Sequence, residues 1–176
     1  AADGLITNKF ADYEVNQMEH ALTSVIATSY TIVIKQVAVL DVVSAHVMSK
    51  NSLQMLARCT GASAGVDDTT GVAQAATEPV EFTSDIMKNC GDAANWPKLS
   101  YTFECFGRRR QTISLTFTSG SKEVAYIEWK TDELYREAIK DKPGTVIPKF
   151  CEMRDGTTFR GKIKIMFTLT PKPNPR

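Results

Sequence analysis

Histidine is scarce in this 176-residue chain, which has only His20 and His46. Neither stands in an H-E-x-x-H or comparable ligand spacing, so a zinc hydrolase is disfavoured. The four cysteines, Cys59, Cys90, Cys105 and Cys151, include no C-x-x-C pair, which argues against a zinc ribbon or a thioredoxin-type motif. No glycine-rich phosphate loop and no G-x-G-x-x-G occur, so nucleotide hydrolysis and dinucleotide redox chemistry lack support, and no small-molecule cofactor is expected. Asn-x-Ser/Thr is absent as well. The most apolar stretch, Tyr30 to Met48, is broken by Lys35, Gln36, Asp41 and His46. It falls short of the roughly 18 continuous apolar residues of a spanning helix. The opening Ala1-Ala2-Asp3-Gly4 has neither a basic nor an apolar region, so no targeting segment is expected.

A charge excess is lacking overall: 21 Lys and Arg against 20 Asp and Glu leave +1, which excludes a simple histone-like cation. Hydrophobic residues at 43% and charged ones at 23% are ordinary globular usage and exclude a disordered or coiled-coil chain. The near neutrality hides a division. Residues 1–97 carry five basic and eleven acidic side chains, a net of −6, whereas residues 98–176 carry sixteen and nine, a net of +7. Such asymmetry suits either a polyanion-binding second half or complementary surfaces between subunits. A single domain, 1–176, is expected in three parts: a helix- and β-rich part over 1–60, a long loop or arm over 61–97, and a basic antiparallel sheet over 98–176.

Residues 11–28 read as an amphipathic helix, with Val15, Met18, Leu22, Val25 and Ile26 at three-to-four spacing. Tyr30 to Met48 is rich in β-branched residues and favours strand, although Val33, Val37, Leu40 and Val47 also fit a helical stripe. Ser52 to Arg58 looks like a short helix stopped by Gly61. Gly61 to Pro97 is weakly patterned, with one helical turn expected over 84–90, and reads as a functional arm or mobile insertion, or else as a disordered surface loop or unmarked short strands.

The second half alternates clearly. Leu99, Tyr101, Phe103 and Cys105 mark one strand, Ile113, Leu115 and Phe117 a second, and Ala125, Ile127 and Trp129 a third, which together predict an antiparallel meander. Asp132 to Lys140 has acids in its first turn and a closing lysine, as a short helix requires. Val146 to Met153 reads as a strand interrupted by Pro148, which suggests an edge position or a bulge. Asp155-Gly156 signals a tight hairpin turn. On the last strand Phe159, Ile163, Ile165, Phe167 and Leu169 share a face with Gly161, opposite Arg160, Lys162 and Lys164. The fold class expected is α+β, with an N-terminal helical region, a long central loop and a predominantly antiparallel sheet or partly closed barrel.

The positive functional signal is basic. Arg108, Arg109 and Arg110 at a turn, and Arg160, Lys162 and Lys164 along a strand, could together neutralise several phosphates. Tyr101, Phe103 and Phe106 could stack on single-stranded bases. These features predict a non-enzymatic binding or assembly protein, such as a virion, phage or other repeating-assembly subunit. Its basic sheet would contact RNA, single-stranded DNA or an acidic neighbouring subunit in a homo-oligomer. Localisation is left open, in the cytoplasm or a virion, with an extracellular or periplasmic site as the alternative. A secreted or periplasmic interaction domain with disulfides is one alternative. Another is a cysteine hydrolase pairing His46 with Cys151, oriented by Asp67 or Asp68.

Overall fold

The computed structural model describes residues 29–60, 65–66, 73–74, 79–106 and 111–172. Two antiparallel sheets face one another. The first contains β1 (Ser29–Leu40), β6 (Ala94–Trp96), β7 (Tyr101–Phe106), β10 (Ile147–Asp155) and β11 (Thr158–Pro171). Its order is β10-β11-β1, and the far edge of β1 is shared by β7 and β6. The second runs β5 (Val80–Thr83), β2 (Leu53–Thr60), β8 (Thr112–Ser119), β9 (Lys122–Lys130). β3 (Gly65–Val66) and β4 (Ala73–Gln74) form a separate two-residue pair.

The core lies between the sheets, because each long strand alternates buried and exposed residues. Ile32, Ile34, Val37 and Val39 of β1 and Ile163, Ile165, Phe167 and Leu169 of β11 meet Leu53, Met55 and Ala57 of β2 and Ile113, Leu115 and Phe117 of β8. Aromatic rings bridge the layers: Phe82 meets Phe103 edge-on at 5.3 Å, and Trp96 lies 5.9 Å from Phe117.

This architecture corrects the α+β expectation: among the described residues the fold is nearly all β, with one short helix, and it is a sandwich of two open sheets rather than a partly closed barrel. The helix expected over 11–28 lies outside the described residues. The one expected over 52–58 is strand β2, because Leu53, Met55 and Ala57 alternate inward with period two. β1 resolves the ambiguity at 30–48. A bulge at Lys35 shifts the pairing with β11 between Ile34 and Gln36, so inward positions change from even to odd numbers. That phase change made a strand resemble a helical stripe. The chain past 40 is loop.

The expected meander is also corrected. β8 and β9 do form a hairpin, but β7 pairs with β1 in the opposite sheet, so the chain crosses the sandwich between Phe106 and Thr112. The region 84–90 is loop rather than helical turn, and 79–96 supplies β5 and β6. The helix α1 forms over Thr131–Ala138, with Asp132 and Glu133 in its first turn and Leu134, Tyr135 and Ala138 buried. β10 occupies an edge, one of the two placements that Pro148 suggested.

Candidate functional site

Loops gather at one end of the sandwich, where 41–52 joins β1 to β2 and 84–93 joins β5 to β6. Asn51, almost wholly buried, organises the first loop: its Oδ1 accepts from Ala45 N at 2.9 Å and its Nδ2 donates to Val43 O at 2.9 Å. Its backbone carbonyl accepts from Gly91 N at 3.2 Å, which ties in the second loop. Val42 N donates to Asp92 O and Val43 N to Arg160 O, which anchor the loop to 84–93 and to β11.

Across the sandwich, the buried Ser119 Oγ accepts from Ser52 N at 2.9 Å and lies 2.8 Å from His46 Nε2. Lys122 Nζ donates to Ala45 O. Ser44 Oγ bonds both the backbone N–H and C=O of His46, which turns the chain at the tip. The loop is therefore fastened to both sheets. Yet its tip residues, Val47 and Met48, are 99% and 95% exposed.

Leu40 and Ile86 add exposed apolar surface on the strand end and the neighbouring loop. Lys50 and Lys88 stand on the same loops, together with Asp41, Asp85 and Asp92, and Lys122 opens β9 beside them, its Nζ on Ala45 O. Among the described residues no three His, Cys, Asp or Glu side chains converge where they could hold a metal ion. A groove of about 360 Å³ lies alongside, lined by 123–126 of β9 and by Arg154, Asp155 and Arg160.

The basic residues singled out in the sequence are distributed differently from the expected patch. Arg108, Arg109 and Arg110 lie outside the described residues. Arg160, Lys162 and Lys164 do not share a face, because a bulge leaves Arg160 unpaired between Phe159, opposite Arg154, and Gly161, opposite Met153. Phe159 is thereby turned under the Arg154 guanidinium, while Arg160 lines the groove and faces Asp155 at 3.6 Å. Lys162 pairs with Asp41 at 3.7 Å, and Lys164 stands over the Phe150 ring at 5.8 Å.

Lys149 is held by Glu137 and Glu133. Burial alone would lower its pKa, but the hydrogen bond and charge of Glu137 outweigh this and the net shift is upward. Of the candidate stacking rings, Phe103 is buried and Tyr101 is stacked on Phe82 at 4.9 Å. His46 is committed to Ser119 rather than to a thiol, and Cys151 of β10 pairs with Ile163 of β11. Asp67 and Asp68 lie outside the described residues. All four cysteines are free, which removes the basis for a disulfide-built interaction domain.

No protein-family model matches the chain, and no curated protein matches it in sequence. Solved structures do match. The fold is that of a C2-like β-sandwich. It is similar to the C2A domain of plant extended synaptotagmin 1, with TM-score 0.55 and 10% identity over 84% of this chain and 98% of that one. It is similar to human GIVD cytosolic phospholipase A2 in complex with methyl γ-linolenyl fluorophosphonate, with TM-score 0.58 and 8% identity over 84% of this chain. An extended synaptotagmin 2 fragment holding SMP, C2A and C2B domains gives TM-score 0.52 and 13% identity over 86% of this chain and 32% of that one. The chain spans about 18% of the phospholipase's length.

These neighbours overturn the virion, repeating-assembly and nucleic-acid readings, together with RNA and single-stranded DNA as partners. The physical reason agrees with them: no continuous row of unpaired cations emerges from Arg160, Lys162 and Lys164. The exposed Val47–Met48 tip was missed in the sequence. Its signal was present, since Val47 and Met48 directly precede the polar run Ser49-Lys50-Asn51-Ser52, but the β-branched composition of Tyr30 to Met48 drew them into a strand.

Proposed function

We propose that this chain is a non-catalytic, lipid-surface-binding module that docks by inserting Val47 and Met48 into the interfacial layer of a membrane. The observation that carries this reading is a nearly fully exposed apolar pair on a loop fastened to both sheets. A protruding two-residue tip suits a soft medium, whereas a stable protein contact needs a broad surface of about 800 Å² per partner. Fully burying a valine or methionine side chain is worth about 1.5–3 kcal/mol, so the pair offers about 3–6 kcal/mol at full insertion. Because hydrogen bonds already hold the loop, little of this is lost to ordering it.

Lys50, Lys88 and Lys122 add attraction to anionic lipid of about 1 kcal/mol each near the surface. Asp41, Asp85 and Asp92 offset much of it, so insertion dominates and charge contributes a salt-sensitive remainder. The likeness of the fold to C2 domains supports the reading, and one of the neighbours is a phospholipase in complex with methyl γ-linolenyl fluorophosphonate.

The test is flotation with phosphatidylcholine vesicles, with and without phosphatidylserine. The native chain should float with both, more with phosphatidylserine. Val47→Asp combined with Met48→Asp should lower partitioning at least about tenfold, a loss of 1.4 kcal/mol or more, with unchanged circular dichroism. Phe150→Ser, on the outer face of β10, should leave it within about twofold, as a surface change remote from the tip. A native chain that stays with neither vesicle, or a double variant that floats like the native chain, overturns the reading.

A further inference from the structure

The groove beside the loop end has walls that carry charges of both signs. One wall is β9, which brings Glu123 and Tyr126, and the other is the β10–β11 hairpin, which brings Arg154, Asp155 and Arg160. Its volume, about 360 Å³, falls within the roughly 300–1,000 Å³ of small-molecule sites. Both walls are fastened to the loop that carries Val47 and Met48. Arg160 O accepts from Val43 N at 3.1 Å, and Lys122, the residue before Glu123, donates its Nζ to Ala45 O at 3.1 Å.

The fold itself uses these charges only in part. Arg154 is braced, since its Nε and Nη2 donate to Glu152 Oε2 at 3.0 and 2.6 Å and its guanidinium stands 5.9 Å from the Phe159 ring centroid. Arg160 has one carboxylate partner among the described residues, Asp155 at 3.6 Å, which lies beyond hydrogen-bonding distance. Its fork of N–H donors is therefore open to an acceptor. Glu123 enters no ion pair among the described residues. The Tyr126 hydroxyl already donates to Glu128 at 2.7 Å.

We propose that this groove binds a phosphate ester that carries a primary ammonium group, the chemistry of an ethanolamine phospholipid headgroup. The planar guanidinium of Arg160, with Arg154 beside it, matches the phosphate oxygens, and Glu123 and Asp155 accept from the ammonium. A purely anionic ester fits less well, because the same two carboxylates repel it. A quaternary ammonium has no N–H to give them and favours an aromatic cage, whereas Tyr126 is the one aromatic residue among the described residues lining the groove. A serine headgroup adds a carboxylate at the ammonium end, where Glu123 and Asp155 oppose it. As a membrane headgroup the ligand rests on the docking reading above; as a soluble ester it does not. Insertion of Val47 and Met48 would carry the groove toward the headgroups, since their loop is bonded to both of its walls.

The experiment titrates the folded native chain with glycerophosphoethanolamine and follows backbone amide shifts by NMR. Saturable shifts are expected at 123–126 and 154–160, with glycerol 3-phosphate and glycerophosphocholine each bound about tenfold more weakly for the loss of a charge-assisted contact. Arg160→Gln should weaken both the ethanolamine ester and glycerol 3-phosphate about tenfold, with unchanged circular dichroism. Glu123→Gln should weaken the first and spare the second. Val47→Asp with Met48→Asp should bind the soluble ester like the native chain. In flotation, phosphatidylethanolamine in place of part of the phosphatidylcholine should raise partitioning about threefold or more for the native chain but not for Arg160→Gln, which assigns the ester to a membrane. Unchanged partitioning with the soluble ester still bound assigns the groove to a free phosphate ester. Flotation without ester binding overturns the proposal and leaves the docking reading standing, and ester binding without flotation does the reverse. Glycerol 3-phosphate bound as tightly as the ethanolamine ester, or Arg160→Gln and Glu123→Gln chains that bind like the native one, also overturns the proposal.

Discussion

The loop end and the polar face of β11 carry chemistry of opposite visibility. On β11 the conspicuous residues are cations, yet Arg160 faces Asp155, Lys162 faces Asp41, and Lys164 covers Phe150. Exposed pairs of this kind contribute about 0–1 kcal/mol. The face is close to a neutralised solvent boundary. At the loop end the conspicuous residues are uncharged, and the polar groups behind them, Asn51 and Ser119, are buried and bonded so that Val47 and Met48 can stand in water. The comparison teaches that a functional surface is marked less by how many charges it holds than by which side chains lack a partner in the fold.

The strongest way to break this contrast is at Gly161, where the two regions touch. Its φ is +151°, and an added Cβ would approach Val42 Cα at 3.2 Å and Met153 Cε at 3.1 Å. Gly161→Val should destabilise the chain by about 3 kcal/mol or more in urea unfolding, through backbone strain and overpacking. A loss under about 1 kcal/mol would show that the bulge relaxes freely.

Asn51→Ala comes next. It orphans Ala45 N and Val43 O in a nearly dry site, and a loss of about 2 kcal/mol is expected. Vesicle partitioning should also fall, because Val47 and Met48 lose their support. Partitioning that is unchanged despite the stability loss would mean that the tip needs no rigid base. The smallest effect is expected from Lys162→Ala with Lys164→Ala, about 0.5 kcal/mol in stability and less than about twofold in partitioning. A larger loss of vesicle binding would move the docking surface from the loops to the sheet.

Much of the second half was legible beforehand. Ile113, Leu115 and Phe117 alternate without interruption, the Asp155-Gly156 turn closes its hairpin, and the acids of α1 sit in its first turn. These are local signals with local causes. At Lys35 one inserted residue reversed the later inside–outside assignments of β1, whereas at Arg160 it displaced only Phe159 and Arg160, and Gly161, Ile163, Ile165, Phe167 and Leu169 kept the expected inward face. The −6/+7 division likewise lost its meaning, because β1 from the acidic stretch lies against β11 from the basic one.

By itself the sequence determined where extended segments of the second half run, where its hairpin turns fall, and which catalytic and phosphate-loop motifs are missing. Those follow from short-range alternation, turn propensity and residue identity. Only the tertiary structure decided that β7 leaves β8 for the opposite sheet and that Val47 and Met48 remain uncovered. Each depends on contacts between residues far apart in the chain, which no local pattern encodes.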